Sequence, residues 1–245
     1  MARVLSFAAL IALWALVAAL AHSRVLPSPW VVGLAIVADT GSGELPFNLA
    51  CTLARVAAAF SISMLLGVAA GYAMGRWSAA NRYADSWLVA LLNLPALVIV
   101  MFAYIWIGLN ETAAILAVAL CKLPNVIVIT REGARSLNPH LDEMARAFRF
   151  SRAAKFRHVV APQLAPYVAA ASRSGLAIAW KIVLLAELIG RPNGFGFVMG
   201  SAFSLFDMTT ILAYAITFVA LMLAIENLLV QPIERHSNRW RGQPA

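Results

Sequence analysis

Long apolar runs constrain this chain more than any other feature. Runs over residues 4–21, 49–75, 86–108, 112–130, 166–190 and 208–230 are each long enough to cross a bilayer as a helix. The chain is 62% hydrophobic and only 12% charged, against roughly 25% charge in a soluble domain. The expectation is an all-α polytopic membrane protein of six transmembrane helices, with residues 1–245 forming a single transmembrane domain. The first run could be read as a signal peptide, but its apolar part exceeds the roughly 7–15 residues of one, which favours a first spanning helix.

Charge placement orients the spans. With both termini inside, thirteen of the nineteen Lys and Arg residues fall on the inner side and only Arg24 and Arg191 outside, as the positive-inside rule requires. A net charge of +8 therefore implies no nucleic-acid partner. The inner loop covers residues 131–165. Ser23 to Asn48 should lie outside, with Trp30 as an interfacial anchor and Thr40 to Glu44 as a loop. Pro95 should kink the third span, and Asn193 to Gly196 read as a turn. Gly67, Gly71 and Gly75 recur at small-xxx-small spacing, which lets a second helix approach closely. Cys51 and Cys121 read as buried free thiols, and the four histidines show no metal-ligand spacing.

Charges within spans are costly and tend to be paired or to line water. Matched depths suggest two ion pairs, Arg173–Glu226 and Arg55–Glu187. The alternative is that each snorkels or faces a cavity alone. Lys181, beside Trp180 near the middle of the fifth span, is either a cation in a helix seam or one lining an aqueous path for an anion.

Within the inner loop, Leu141, Met144, Ala145 and Phe148 fall at i, i+3, i+4 and i+7, so one side of a short helix is apolar. Glu143, Arg146 and Arg149 face away from it. Ser151 can cap a second short helix and Pro162 stop it. Such a pair of helices either rests on lipid headgroups or docks a partner. There is no Gly-Lys-Ser or Gly-Lys-Thr phosphate loop, no His-Glu-x-x-His helix and no Gly-x-Ser-x-Gly elbow. No catalytic, metal or cofactor site is expected. The chain is not read as an enzyme, and any energy must come from a partner.

The loop resembles the EAA loop of the permease subunits of binding-protein-dependent ABC importers. The matching residues are Glu143-Met144-Ala145, then Arg149, Ser151, Arg152, Phe156, Val159 and Val160, ending at Pro162. Val25 to Pro29, Ala179-Trp180, Ala186-Glu187-Leu188 and Gly194-Phe195-Gly196 are similar to the nitrate, sulfonate and taurine branch of that family. The resemblance implies a type I importer permease fold in a bacterial inner membrane. It implies a paired second permease copy (a homodimer) in a lipid bilayer, a periplasmic binding protein, and cytoplasmic ATPase subunits that hold ATP and Mg. Glu143, Met144, Ala145, Arg146, Ala147 and Arg149 would then form the coupling helix. Glu143 would be its polar anchor, with Ala145 and Ala147 small where it packs closely. Arg149 stands where the family has Gly, so either the turn differs or Arg149 adds a contact. Alternative readings are an ion-coupled transporter using Lys181, Glu187 and Glu226, or a scaffold that only binds a partner.

Overall fold

The computed structural model describes residues 2–21, 23, 25–225 and 228. Every regular element among them is helical: α1 (Ala2–Ala21), α2 (Pro29–Ser42), α3 (Glu44–Arg76), α4 (Ser78–Asn93), α5 (Ala96–Ile107), α6 (Glu111–Arg135), α7 (Pro139–Ala147), α8 (Arg152–Lys155), a π-helical turn (Phe156–Val160), α9 (Ala161–Gly190), α10 (Phe195–Ser204) and α11 (Met208–Ile225). By length and composition, α3, α6, the stretch Arg152–Gly190 and α11 can cross a bilayer, and the bent pair α4–α5 makes a fifth if its two helices form one broken span rather than a re-entrant loop. Six spans were expected; α1 is 20 residues long, but its apolar stretch, Ala8–Ala21, is shorter than those four. The charges Arg24, Arg235, Arg239 and Arg241, and Glu226 of the expected Arg173–Glu226 pair, lie outside the described residues.

Two compact units divide the chain. The first comprises Met1–Ala54 and Leu184–Ala224. Ser28 caps α2 by accepting from the Val31 amide, and Pro29 starts it. The expected loop from Thr40 to Glu44 does not form. Instead α2 ends on Gly43 in the left-handed region (φ 85°) and α3 begins at the next residue. Only glycine adopts that conformation at little cost, so one residue replaces a loop. Leu45, Phe195 and Tyr214 form the core of this unit, with the two rings edge to face at 4.9 Å. The expected turn at Asn193 to Gly196 also carries more structure than the sequence implied. The amides of Gly194, Phe195 and Gly196 donate to Asn48 Oδ1 (2.7 Å), Thr52 Oγ1 (2.9 Å) and Glu187 Oε2 (2.9 Å). These are orphan donors at the start of α10, and the Glu187 carboxylate lies where a helix N-terminus favours negative charge.

The second unit comprises Arg55–Val183 and Ile225–Ala245. Here α6 packs onto the glycines of α3. A Cβ on Gly67 would lie 2.7 Å from Val126 Cβ, on Gly71 2.6 Å from the Ile127 carbonyl, and on Gly75 2.5 Å from Ala134 Cβ. Backbones can come this close only where side chains are absent. The third span is not one kinked helix: α4 and α5 meet at 100°. Pro95 has no amide to continue α4, and it forces Leu94 into extended conformation (ψ 127°). Pro162 does not stop the second short helix. It sits at the second position of α9, after a π-helical turn closed by the Ala161 amide on the Phe156 carbonyl. The wider turn passes the proline into a helical path of 39 residues, Arg152–Gly190.

Replacing Gly71 by Leu should lower the thermal unfolding temperature of the purified protein, because overpacking costs about 1–3 kcal/mol. Gly33, with nothing within 4 Å of an added Cβ, is the control position and should tolerate Leu.

Candidate functional site

Helix α7 is set by its ends. Asn138 accepts from the His140 amide and Pro139 occupies the first turn. At the other end, the Phe150 amide reaches the Ala145 carbonyl (2.9 Å) and the Arg149 amide the Arg146 carbonyl (3.0 Å). Those two bonds make a Schellman motif with Arg149 at the position glycine usually holds. Arg149 adopts φ 53°. The turn expected of a glycine is therefore kept, with a side chain in it, at a cost of about 1–2 kcal/mol. Ser151 then caps α8 through the Ala154 amide (3.2 Å).

The loop is tied together by Asp142, which the sequence reading passed over. Its carboxylate meets Lys155 Nζ at 2.6 Å, Arg146 Nη2 at 3.0 Å and Arg76 Nη2 at 3.8 Å, and its side chain is 17% exposed. The hydrogen bond from Lys155 is the main cause that holds the Asp142 carboxyl below its ordinary 3.8. Partial burial opposes it, and Lys155, Arg146 and Arg76 add to the lowering. Only Arg146, at i+4, was visible as a neighbour in sequence. Glu143 is 73% exposed, with His140 Nδ1 at 3.7 Å.

The apolar residues of α7 do not all pack inward. Ala145 is buried, whereas Leu141, Met144 and Phe148 are exposed, Phe148 at 73%. Ala147, Arg146 and Arg149 are exposed as well. The expected apolar side and the charged side are thus both open, giving a mixed apolar and charged outer surface. Beside it lies a cavity of about 260 Å³ whose walls include Arg76, Asn138, Asp142, Arg146 and Gln163. Exposed apolar side chains, rimmed by charge, thus stand together on a helix capped at both ends.

The intramembrane residues take different places. Arg55, 4% exposed, grips Glu111 through two bonds, Nε–Oε2 at 2.8 Å and Nη2–Oε1 at 2.7 Å. Glu111 is the first residue of α6, a carboxylate that matched depth along the spans does not single out as the partner of Arg55. Glu187, fully buried, accepts from Thr52 Oγ1 (3.0 Å) and the Gly196 amide. Arg55 and Glu187 belong to different units, and each has these partners within its own. Trp180 is buried, while Arg173, Ala177 and Lys181 are exposed at i, i+4 and i+8 on one side of α9. The sequence reading assigned no role to Lys122. It is fully buried, with Nζ 3.3 Å from the centre of the Phe60 ring and its methylenes against Gly175. A lysine in mid-span was the available signal. Among the described residues, no group of His, Cys, Asp and Glu could hold a metal ion.

The chain matches the family of inner membrane components of binding-protein-dependent transport systems over residues 63–241. It is 31% identical to a protein of Escherichia coli K12 named as an aliphatic sulfonates transport permease, across 94% of this chain and 88% of that one. It is 27% identical to the taurine transport system permease of the same organism, across 80% and 71%. The structure of an amino acid ABC transporter superposes with a TM-score of 0.65, at 22% identity, over 83% of this chain and 97% of that one.

Arg149→Gly should raise stability by about 1 kcal/mol in thermal unfolding, since glycine removes the left-handed strain and costs some unfolded-state entropy. The Asp142 carboxyl has a lowered folded-state pKa, so its contribution is complete above the ordinary value of 3.8 and is lost as pH falls through the lowered one. Unfolding temperatures of wild type and Asp142→Asn should differ by a constant amount above about pH 5 and converge as pH falls through the lowered folded-state value. A difference that persisted in acid would show that the three cations do not act through this carboxylate.

Proposed function

This chain belongs to the binding-protein-dependent transport system inner membrane component family, and from that membership we propose that it forms the translocation path for a small sulfonate-like anion. It is a permease subunit, and its relatives include permeases named for aliphatic sulfonates and taurine. The observation that carries the rest is the outer surface of α7. Met144, Phe148 and Glu143 stand exposed on a helix held by Asn138, Asp142 and the Arg149 turn. In this reading, that surface seats in a groove of a cytoplasmic ATPase subunit, which binds ATP and Mg. Nucleotide shifts the permease because it binds the closed ATPase pair better than the open one, and only such differential binding moves the equilibrium.

Two copies of the chain pair, with both termini cytoplasmic, and a periplasmic binding protein delivers the anion. Lys181 supports the choice of an anion. It is an exposed cation on α9, inside a helical stretch long enough to cross the bilayer, and a charge at that depth needs water, a partner copy or a counter-ion. Arg173 lies on the same side two turns earlier, so passing anions would meet two cations in series.

Uptake of a labelled sulfonate into proteoliposomes holding the permease, its ATPase and its binding protein should require ATP. Met144→Ser with Phe148→Ser should weaken capture of the ATPase at least tenfold while leaving membrane insertion intact. Lys181→Gln should lower uptake and Lys181→Arg retain it. Uptake driven by an ion gradient without ATP would overturn the proposal.

A further inference from the structure

Helix α3 ends at Arg76, α6 ends at Arg135, and α4 begins at Ser78. Where these ends meet there is a cavity of about 520 Å³, walled by Arg76, Arg82 and Arg135 with Ser78 and Asn81. No carboxylate lines it. The acidic groups nearby are spent on other cations or shared. Asp85 binds Arg131, Glu132 binds both Arg131 and Arg135, and Asp142, at 3.8 Å from Arg76, also holds Arg146 and Lys155. Asn81 Oδ1 accepts from Arg135 at 2.9 Å, which steadies that guanidinium. Arg82 is exposed, and no carboxylate is described beside it. Ser78 is the first residue of α4, and the N-cap Trp77 supplies no side-chain acceptor to that turn.

The cavity also has a defined depth. It lies at the ends of two helices that can cross the bilayer, hence at the membrane–water boundary. Trp77, Tyr83 and Trp87 are 62%, 80% and 75% exposed around the same part of α4. Exposed Trp and Tyr at span ends are the side chains that settle at headgroup level. Basic cavities between membrane helices at that level suit anionic headgroups, and the planar guanidinium fork matches phosphate oxygens in pairs.

We propose that this cavity binds the phosphodiester headgroup of an anionic phospholipid. Arg82 and Arg135 are its main ligands and Arg76 its edge towards α7. The inference rests on the membrane reading alone and stands or falls separately from the transported solute.

The test is native mass spectrometry of the full-length protein with phosphatidylglycerol or phosphatidylcholine at matched concentration. Phosphatidylglycerol should be retained in preference. Arg82→Gln should weaken that retention about fivefold, the usual effect of one basic residue on an anionic surface, and Arg82→Lys should keep most of it. Arg82→Gln should unfold at the wild-type temperature, since no described hydrogen bond or ion pair depends on it. Equal retention of the two lipids, or retention unchanged in Arg82→Gln, would overturn the proposal. So would full displacement by low-millimolar inorganic phosphate, which would make this a free-anion site. Loss of ATPase co-purification in Arg82→Gln with lipid retention intact would assign the surface to a protein partner instead.

Discussion

Hydrocarbon offers no hydrogen bonds, and the places where this chain must end or bend a helix follow from that. Inside a span the backbone satisfies itself, so the exposed problem is the helix terminus. The chain solves it locally where it can, with Asn110 accepting from the Ala113 amide ahead of α6, Ser28 ahead of α2 and Ser151 ahead of α8. At α10 no local group suffices. Three amides in a row are met by Asn48, Thr52 and Glu187, drawn from two other helices. The Thr52 hydroxyl has a single proton to share between Glu187 Oε2 and the Asn48 carbonyl, while it accepts from Phe195. A buried carboxylate survives there because backbone dipoles and a hydroxyl stand in for water.

Close approach is the second consequence. Without a hydrophobic drive between helices in lipid, contact area decides what associates. The glycine side of α3 makes that area against α6, and Gly175 makes room for Lys122. The lysine then rests on the Phe60 ring, an arrangement in which the aromatic face partly offsets lost hydration. Arg55 is treated differently. Its two-point bond to Glu111 fixes an arginine against the start of α6, and a planar fork is better suited to that than a lysine would be.

On the loop, inward and outward contacts are separated among neighbouring residues. Asp142 faces in and gathers three cations, while Glu143, one residue on, faces out. The same short helix can therefore be rigid towards its own protein and leave Met144 and Phe148 free for another. Arg149 shows the price of holding that geometry: a left-handed backbone kept with a side chain in place of glycine.

Much of this was legible in the residues. The apolar runs set helices of membrane length, Pro95 marked the break, and Gly67, Gly71 and Gly75 marked a seam. Ser151 marked a cap. Each of these depends on one residue or a fixed spacing, so local chemistry suffices. The turn at residue 149 came only from the family resemblance, which leaves open a different turn or an added contact. The angle at Pro95, the helix in place of the 40–44 loop and the passage of Pro162 through a π-turn were not legible, because each depends on what the neighbouring helices leave room for. The partners of charges were least legible of all. Sequence depth paired Arg55 with Glu187 and passed over Glu111 and Asp142. An ion pair is chosen by how helices are rotated and where their ends fall, and a sequence carries depth along a helix but not its rotation against the next. The chain by itself determined that it crosses a membrane, that the path breaks at Pro95 and that residues 131–165 form its largest polar loop. Only the tertiary structure decided which side of that loop faces out, because the burial of Ala145 and the partial burial of Asp142 are settled by the elements packed against them.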